Sequence, residues 1–347
     1  MSTATAAERE AAAVRGRVPL AAGLAALGAA VAVAAALSLA VGAKQLPLTT
    51  VLDALLHLDR ADPDQLIVTE LRIPRTLIGL LAGAALGLAG TVIQGVTRNP
   101  LADPGILGVN AGAALFVVLA ISVLGVGSLT GYVWFGFAGA AAAVVVVYGI
   151  GSLGREGATP LKITLAGAAL TAAFGSITNG VLLTDALSYD HFRFWQVGGL
   201  TGRDASVVVQ ALPFFAAAVV LALCCGRALN ALSMGDDMAR SWGRNVAASR
   251  AACGLAIVLL CGTATALAGP LAFVGLGVPH LARAITGPDH RWLLPYSMLI
   301  GPLLLLAADL IGRLVARPAE VQAGIVTAVI GAPVFVAMVR RRKAAAP

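Results

Sequence analysis

The feature that most constrains this chain is the recurrence, from end to end, of apolar runs about 20 residues long with short polar turns between them. A helix needs about 20 mostly apolar residues to cross a bilayer. In lipid, each backbone N–H and C=O must be satisfied within a helix or a closed barrel. The runs cover residues 18–41, 74–95, 106–125, 131–151, 161–184, 206–226, 247–267, 268–285, 292–312 and 322–340. They predict an all-α, polytopic membrane protein of about ten transmembrane helices. A soluble globule is excluded, because only 12% of the residues are charged, about half the usual share.

The net charge of +7 comes from bases scattered singly between the runs, not from a basic patch, so it reads as topology and not as a nucleic-acid site. With the N-terminus in the cytoplasm, sixteen Lys and Arg fall inside and eight outside. That bias predicts a multi-pass protein of the cytoplasmic membrane with both termini inside. The outside set holds Lys44, Arg60, Arg72, Arg75, Arg193, Arg203, Arg313 and Arg317, a surplus that needs its own explanation. Residues 1–17 and 343–347 read as cytoplasmic tails, and 18–342 as the transmembrane domain.

Enzyme chemistry finds no footing. Cys224, Cys225, Cys253 and Cys261 lack CxxC spacing and read as small buried hydrophobes. The four histidines, His57, His191, His280 and His290, are dispersed. No GxxxxGK[ST] loop is present, so this chain does not bind ATP by that route. No metal or cofactor is expected on it.

Four stretches depart from plain apolar helix. The first, starting at Leu71, carries Arg72 and Arg75 at an outer mouth, then a helix with small-residue spacing at Gly83, Gly87 and Gly90. It ends in an inner turn with Asn99, Pro100, Asp103, Pro104 and Gly105. The second, GRALNALSMGDDMARSWGRNV, is an amphipathic cytoplasmic segment at about 227–243. Ser233 with Asp236 reads as a capping box, Asp236 and Asp237 suit a helix start and Arg240 its end, and Gly243 is a stop. Met238 and Trp242, at i and i+4, form an apolar ridge that either fits a groove on a partner or rests on lipid. In the third stretch Pro279 is expected to break the eighth span. In the fourth, Asp309 and Arg313 have the spacing of a helical ion pair.

Together and in this order, these stretches resemble the FecCD family, the permease subunits of type II ABC importers for iron–siderophore, haem and vitamin B12 complexes. The resemblance runs from about Leu48 to Arg342, and GDDMARSWG, GPDHRW and PAEVQAGIVTAVIGAPVF are most similar to ferric-siderophore permeases of the enterobactin type. It implies a second permease subunit, identical or paralogous, two ATPase subunits that hold ATP and Mg, and an extracytoplasmic binding protein. It also implies that Leu229, Leu232, Gly235, Asp236, Asp237, Met238, Arg240, Trp242 and Gly243 form coupling helices seated on the ATPase. Arg72, Arg75 and Arg313 match external arginines that pair with glutamates of the binding protein, a task suited to the planar guanidinium fork. By the same resemblance the fifth and tenth spans face the subunit twofold and the passage. That makes Gly167, Gly175, Gly324 and Gly331 candidates for close packing or pathway lining.

A secondary transporter driven by an ion gradient is the alternative of another class. It requires ionisable groups near the midplane, and Asp309 and Asp185 are its only candidates. A non-transport scaffold is a third reading.

Overall fold

A computed structural model describes residues 20–344 apart from 43, 58, 128, 154–158 and 318. The predicted N-terminal tail lies outside the described residues, as do residues 345–347 of the C-terminal one. Among the described residues the secondary structure is helical throughout: α1 Leu20–Ala40, α2 Leu48–Leu56, α3 Pro63–Thr97, α4 Val109–Ser122, α5 Leu129–Gly151, α6 Pro160–Thr184 and α7 Ala186–Gln196. There follow α8 Ala205–Cys224, α9 Gly226–Ser233, α10 Asp236–Ser241, α11 Val246–Ala268, α12 Val274–Thr286, α13 His290–Val315 and α14 Ala323–Ala344. Each of the ten predicted runs has its helix. Seven of these are long and apolar enough to cross a membrane, while α4 and the apolar part of α14, Ala323–Val336, are shorter.

The eighth run corrects one expectation. Pro279 does not break it; α12 continues through Pro279 to Thr286. The tight Ala-Gly-Pro turn that the sequence places near Gly269 and Pro270, between the seventh and eighth runs, is present over Gly269–Phe273, where Gly269 and Phe273 both take positive φ (74° and 68°). Pro279 is the sixth residue of α12, past the four opening N–H groups that lack an intrahelical partner, so the helix forgoes one bond there, to the Gly275 carbonyl, and still continues. The 13 residues of α12 span about 20 Å, too little for a bilayer core of about 30 Å.

The helix α3 is the hub. In its most apolar stretch 83% of residues are buried, and it packs on α13, α11, α12 and α8. Glycine makes this possible. A Cβ on Gly83 would lie 2.6 Å from the backbone of Pro302, and one on Gly90 would lie 1.8 Å from the Gly275 carbonyl oxygen. Backbones in contact gain dispersion energy, which in lipid replaces the missing hydrophobic drive. The rim helices are barer: only 17% of the apolar stretch of α6 is buried, and none of α1's.

Candidate functional site

At one end of the bundle, α8 runs into a two-helix elbow. Leu229 and Leu232 point inward and are fully buried. The chain then turns at Gly235, whose φ of +112° only glycine adopts freely, and α10 begins. This divides what the sequence presented as one capped helix. Ser233 is the last residue of α9, where its hydroxyl donates to the Asn230 carbonyl, and Gly235 takes the N-cap place. The end of α10 follows expectation: Gly243 is left-handed, its N–H donates to the Arg240 carbonyl, and that of Arg244 donates to the Ala239 carbonyl. These paired bonds make a Schellman stop. Met234, Met238 and Trp242 stand outward and exposed as an apolar ridge.

Polar joints tie the elbow to the bundle. Asp236 pairs with Arg98, at the left-handed end of α3, and with Arg250 of α11 at 2.9 Å. Asp237 is fully exposed and, among the described residues, pairs only with Arg240 at 3.1 Å. The Asn230 amide donates to Asp289 at 2.6 Å and accepts from the His290 backbone N–H at 2.9 Å. Asp289 also caps α13 through the Arg291 N–H. Partial burial pushes the Asp289 carboxyl up, but its bonds to Asn230 and Arg291 outweigh this and hold it below the usual carboxylate range.

Beside the elbow, the turn after α3 is built by two side chains. Asn99 accepts the Leu101 N–H at 3.0 Å, and Asp103 accepts the Gly105 N–H at 2.8 Å, capping a single 3₁₀ turn over Pro104–Leu107. Burial pushes the Asp103 carboxyl up, and the Gly105 bond opposes it. Pro100 lies within the turn, and Pro104 packs on Gly275 of α12.

At the opposite end, the three arginines are engaged inside the protein. Arg72 donates to the carbonyls of Leu39, Ala40 and Lys44 at 2.5–2.8 Å. Arg313, 1% exposed, donates to the Ser38 and Val41 carbonyls at 2.7 and 2.9 Å and pairs with Asp309. Arg75 reaches Asp309 at 2.7 Å and Glu320 at 2.6 Å. The carbonyls that end α1 thus receive two guanidinium groups, the charge sign a helix C-terminus favours. The predicted Asp309–Arg313 pair is present, and Asp309 is flanked by two arginines, so its own carboxylate is not open to a transported cation. Arg72, Arg75 and Arg313 line a cavity of 630 Å³ at this end with Lys44, Glu70 and Glu320, and each of the three guanidinium groups is already bonded within the chain.

The family model for the FecCD transport family matches residues 27–341. The chain belongs to that family. Among FecCD relatives, it is 47% identical to the ferric enterobactin transport system permease protein FepD of Escherichia coli, over 89% of this chain and 92% of that one. It is 43% identical to the probable siderophore transport system permease protein YfiZ of Bacillus subtilis, over 80% and 84%. A metal-chelate type ABC transporter solved in an inward-facing conformation superposes with a TM-score of 0.79 at 28% identity, covering 92% of this FecCD chain and 98% of its own.

The four singled-out glycines divide. A Cβ on Gly167 would meet the Ile106 carbonyl oxygen at 1.9 Å, one on Gly324 the Val197 carbonyl oxygen at 2.1 Å, and one on Gly331 the Phe273 side chain at 2.5 Å. These three serve close packing within this chain. Gly175 faces open space on α6. Sequence reasoning did not single out Asn230, Asp289, Arg98 or Arg250 for the elbow. The Asp289 cap ahead of α13 was the one local signal available.

Proposed function

We propose that this FecCD protein is the membrane-spanning permease subunit of an ABC importer that carries an iron–siderophore complex inward across the cytoplasmic membrane. It performs no chemistry and binds no cofactor. Two such subunits, this chain with an identical or paralogous one, enclose the passage, with the open faces of α6 and α14 toward the partner and Gly175 on that face. Two separate ATPases bind ATP and Mg at the elbow end, which the Lys and Arg bias places in the cytoplasm with both termini. An extracytoplasmic binding protein docks at the arginine end. Arg72, Arg75 and Arg313 line the cavity there, and docking competes with the pairs that Arg75 makes with Asp309 and Glu320.

The observation that carries this reading is the elbow: an outward ridge of Met234, Met238 and Trp242 on a segment whose inner residues are locked to three helices. A lipid-resting helix has no need of such joints. The ridge fits a groove on an ATPase, and Leu229, Leu232, Gly235, Asp236, Asp237, Arg240 and Gly243 hold its shape. The turn from Asn99 to Gly105 and α6 then take up the movement as the inner gate.

The test is ATP-driven uptake of a labelled ferric siderophore into liposomes holding the permease, its ATPase and its binding protein. Met238→Asp with Trp242→Asp is expected to abolish uptake. A double variant that still assembles and takes up cargo at the wild-type rate removes the coupling role.

A further inference from the structure

Arg203, in the loop between α7 and α8, is a buried outer arginine that no role above absorbs. The loop from Val197 to Asp204 crosses the interruption between α11 and α12: the Gly199 N–H donates to the Ala268 carbonyl at 2.8 Å, and the Gly324 N–H donates to the Gly198 carbonyl at 3.2 Å. Left-handed Gly198 and Gly202 let it fold so tightly. This draws Arg203 inside until 9% of it is exposed. Its Nη1 donates to the Ala266 carbonyl at 3.1 Å, at the C-terminal end of α11. Its Nε has no partner, and no carboxylate pairs with it among the described residues. Burial pulls its pKa down to about 10, so it stays cationic at neutral pH.

A buried cation held by one carbonyl is poorly compensated, because desolvation costs several kcal/mol and a lone neutral acceptor recovers little of it. Around it lies a cavity of 290 Å³ lined by Tyr132, Trp195, Thr201, Arg203 and Gln322 with two glycines, in which Arg203 is the sole charged residue. Trp195 is 2% exposed, and its indole N–H also has no partner. Thr201, Gly202 and Arg203 line the 630 Å³ outer cavity as well, so the two meet at this loop. The cavity therefore combines an uncompensated positive charge, an unused donor, one unused acceptor in Gln322 Oε1, two hydroxyls and an aromatic wall.

We infer that this cavity is a binding site for an anionic oxygen group, and that its occupant is one acidic arm, a carboxylate or catecholate, of the incoming metal chelate. At 290 Å³ the space lies at the lower limit of ligand pockets, so it takes an arm and not a whole chelate. Arg203 supplies the charge, Trp195 the second donor and the stacking face, and Tyr132 and Thr201 further hydroxyls. The assignment of a chelate arm rests on the importer reading; the demand for an anion rests on the buried charge alone.

The test is equilibrium binding to the full permease–ATPase complex in nanodiscs, without nucleotide or binding protein, so that its outcome is independent of the uptake assay. The probes are radiolabelled ferric tris-catecholate, a ferric hydroxamate of zero net charge, and inorganic phosphate as competitor. Saturable tris-catecholate binding is expected, weakened at least tenfold by Arg203→Gln, severalfold by Trp195→Phe, and within threefold of wild type in Arg203→Lys. The neutral chelate should bind weakly and be indifferent to Arg203→Gln. Gln322→Glu, which sets a carboxylate in the cavity and leaves the Arg203–Ala266 bond in place, should cause the same tenfold loss and covers the case in which Arg203→Gln fails to assemble. Wild-type affinity in an assembled Arg203→Gln or Gln322→Glu complex overturns the site. Full displacement by millimolar phosphate overturns the chelate arm in favour of a free anion.

Discussion

Replacing Arg313 by methionine separates two roles that the same residue can hold. Its guanidinium donates to Ser38 twice, to Val41 and to Asp309, and it is 1% exposed. Methionine fills similar space but strands two carbonyls and takes one of two cations from a buried carboxylate. Breaking a buried, hydrogen-bonded ion pair from one side costs about 3–5 kcal/mol. Unfolding entropy is about 2.1 cal/mol/K per residue, or about 0.7 kcal/mol/K over 347 residues. The thermal midpoint should therefore fall by about 4–7 °C. The assay is thermal unfolding of the purified complex, run beside binding-protein affinity. Adding Asp309→Asn should cost less than the sum of the two single changes, because the charge then leaves with its partner. An Arg313→Met protein with a wild-type midpoint that no longer captures the binding protein would refute the clamp and return Arg313 to direct docking.

Gly90→Ala sets a methyl 1.8 Å from the Gly275 oxygen and should sharply reduce the yield of folded protein, since overpacking of this kind costs about 1–3 kcal/mol or more. Gly175→Ala, whose added methyl meets nothing of this chain, should leave the midpoint of the isolated subunit within the error of a thermal melt, so that any loss in the assembled pair reports the partner face. Asn230→Leu removes the partner of both Asp289 and the His290 N–H; the complex should keep hydrolysing ATP while cargo moved per ATP drops severalfold. An unchanged ratio would show that this joint carries no motion.

The spans were legible because a bilayer leaves few ways to place a 20-residue apolar run. The Gly83, Gly87 and Gly90 stripe was legible as close packing for a related reason: in lipid, small residues at helical spacing have little other use. Short-range polar features were read with mixed success. The Asp309–Arg313 pair and the Gly243 stop follow from spacing within one helix, and both are present. Ser233 was misread because a serine that caps the next helix and one that bonds back into the previous turn look alike, and Gly235 decided between them. Long-range contacts were out of reach. Nothing near Arg313 in sequence announces that it will hold a carbonyl 275 residues away, and nothing near Asn230 points to Asp289, 59 residues on. Exposure was the property sequence gave least of: charged residues flanking a span can sit in headgroups, face a partner, or fold inward onto a helix end.

The burial of α3 between its two charged ends has a thermodynamic consequence. Its regular stretch, Ile73–Thr97, has 25 residues and is about 37 Å long, with Arg72 and Arg75 at one end and Arg98, paired to Asp236, at the other. Packed helices shift between discrete arrangements more readily than they deform, and α3 joins the two ends as one continuous helix. Linkage between two binding sites is symmetric. Whatever factor a ligand at the arginine end imposes on affinity at the elbow, a ligand at the elbow imposes in return, and one measured ratio fixes both.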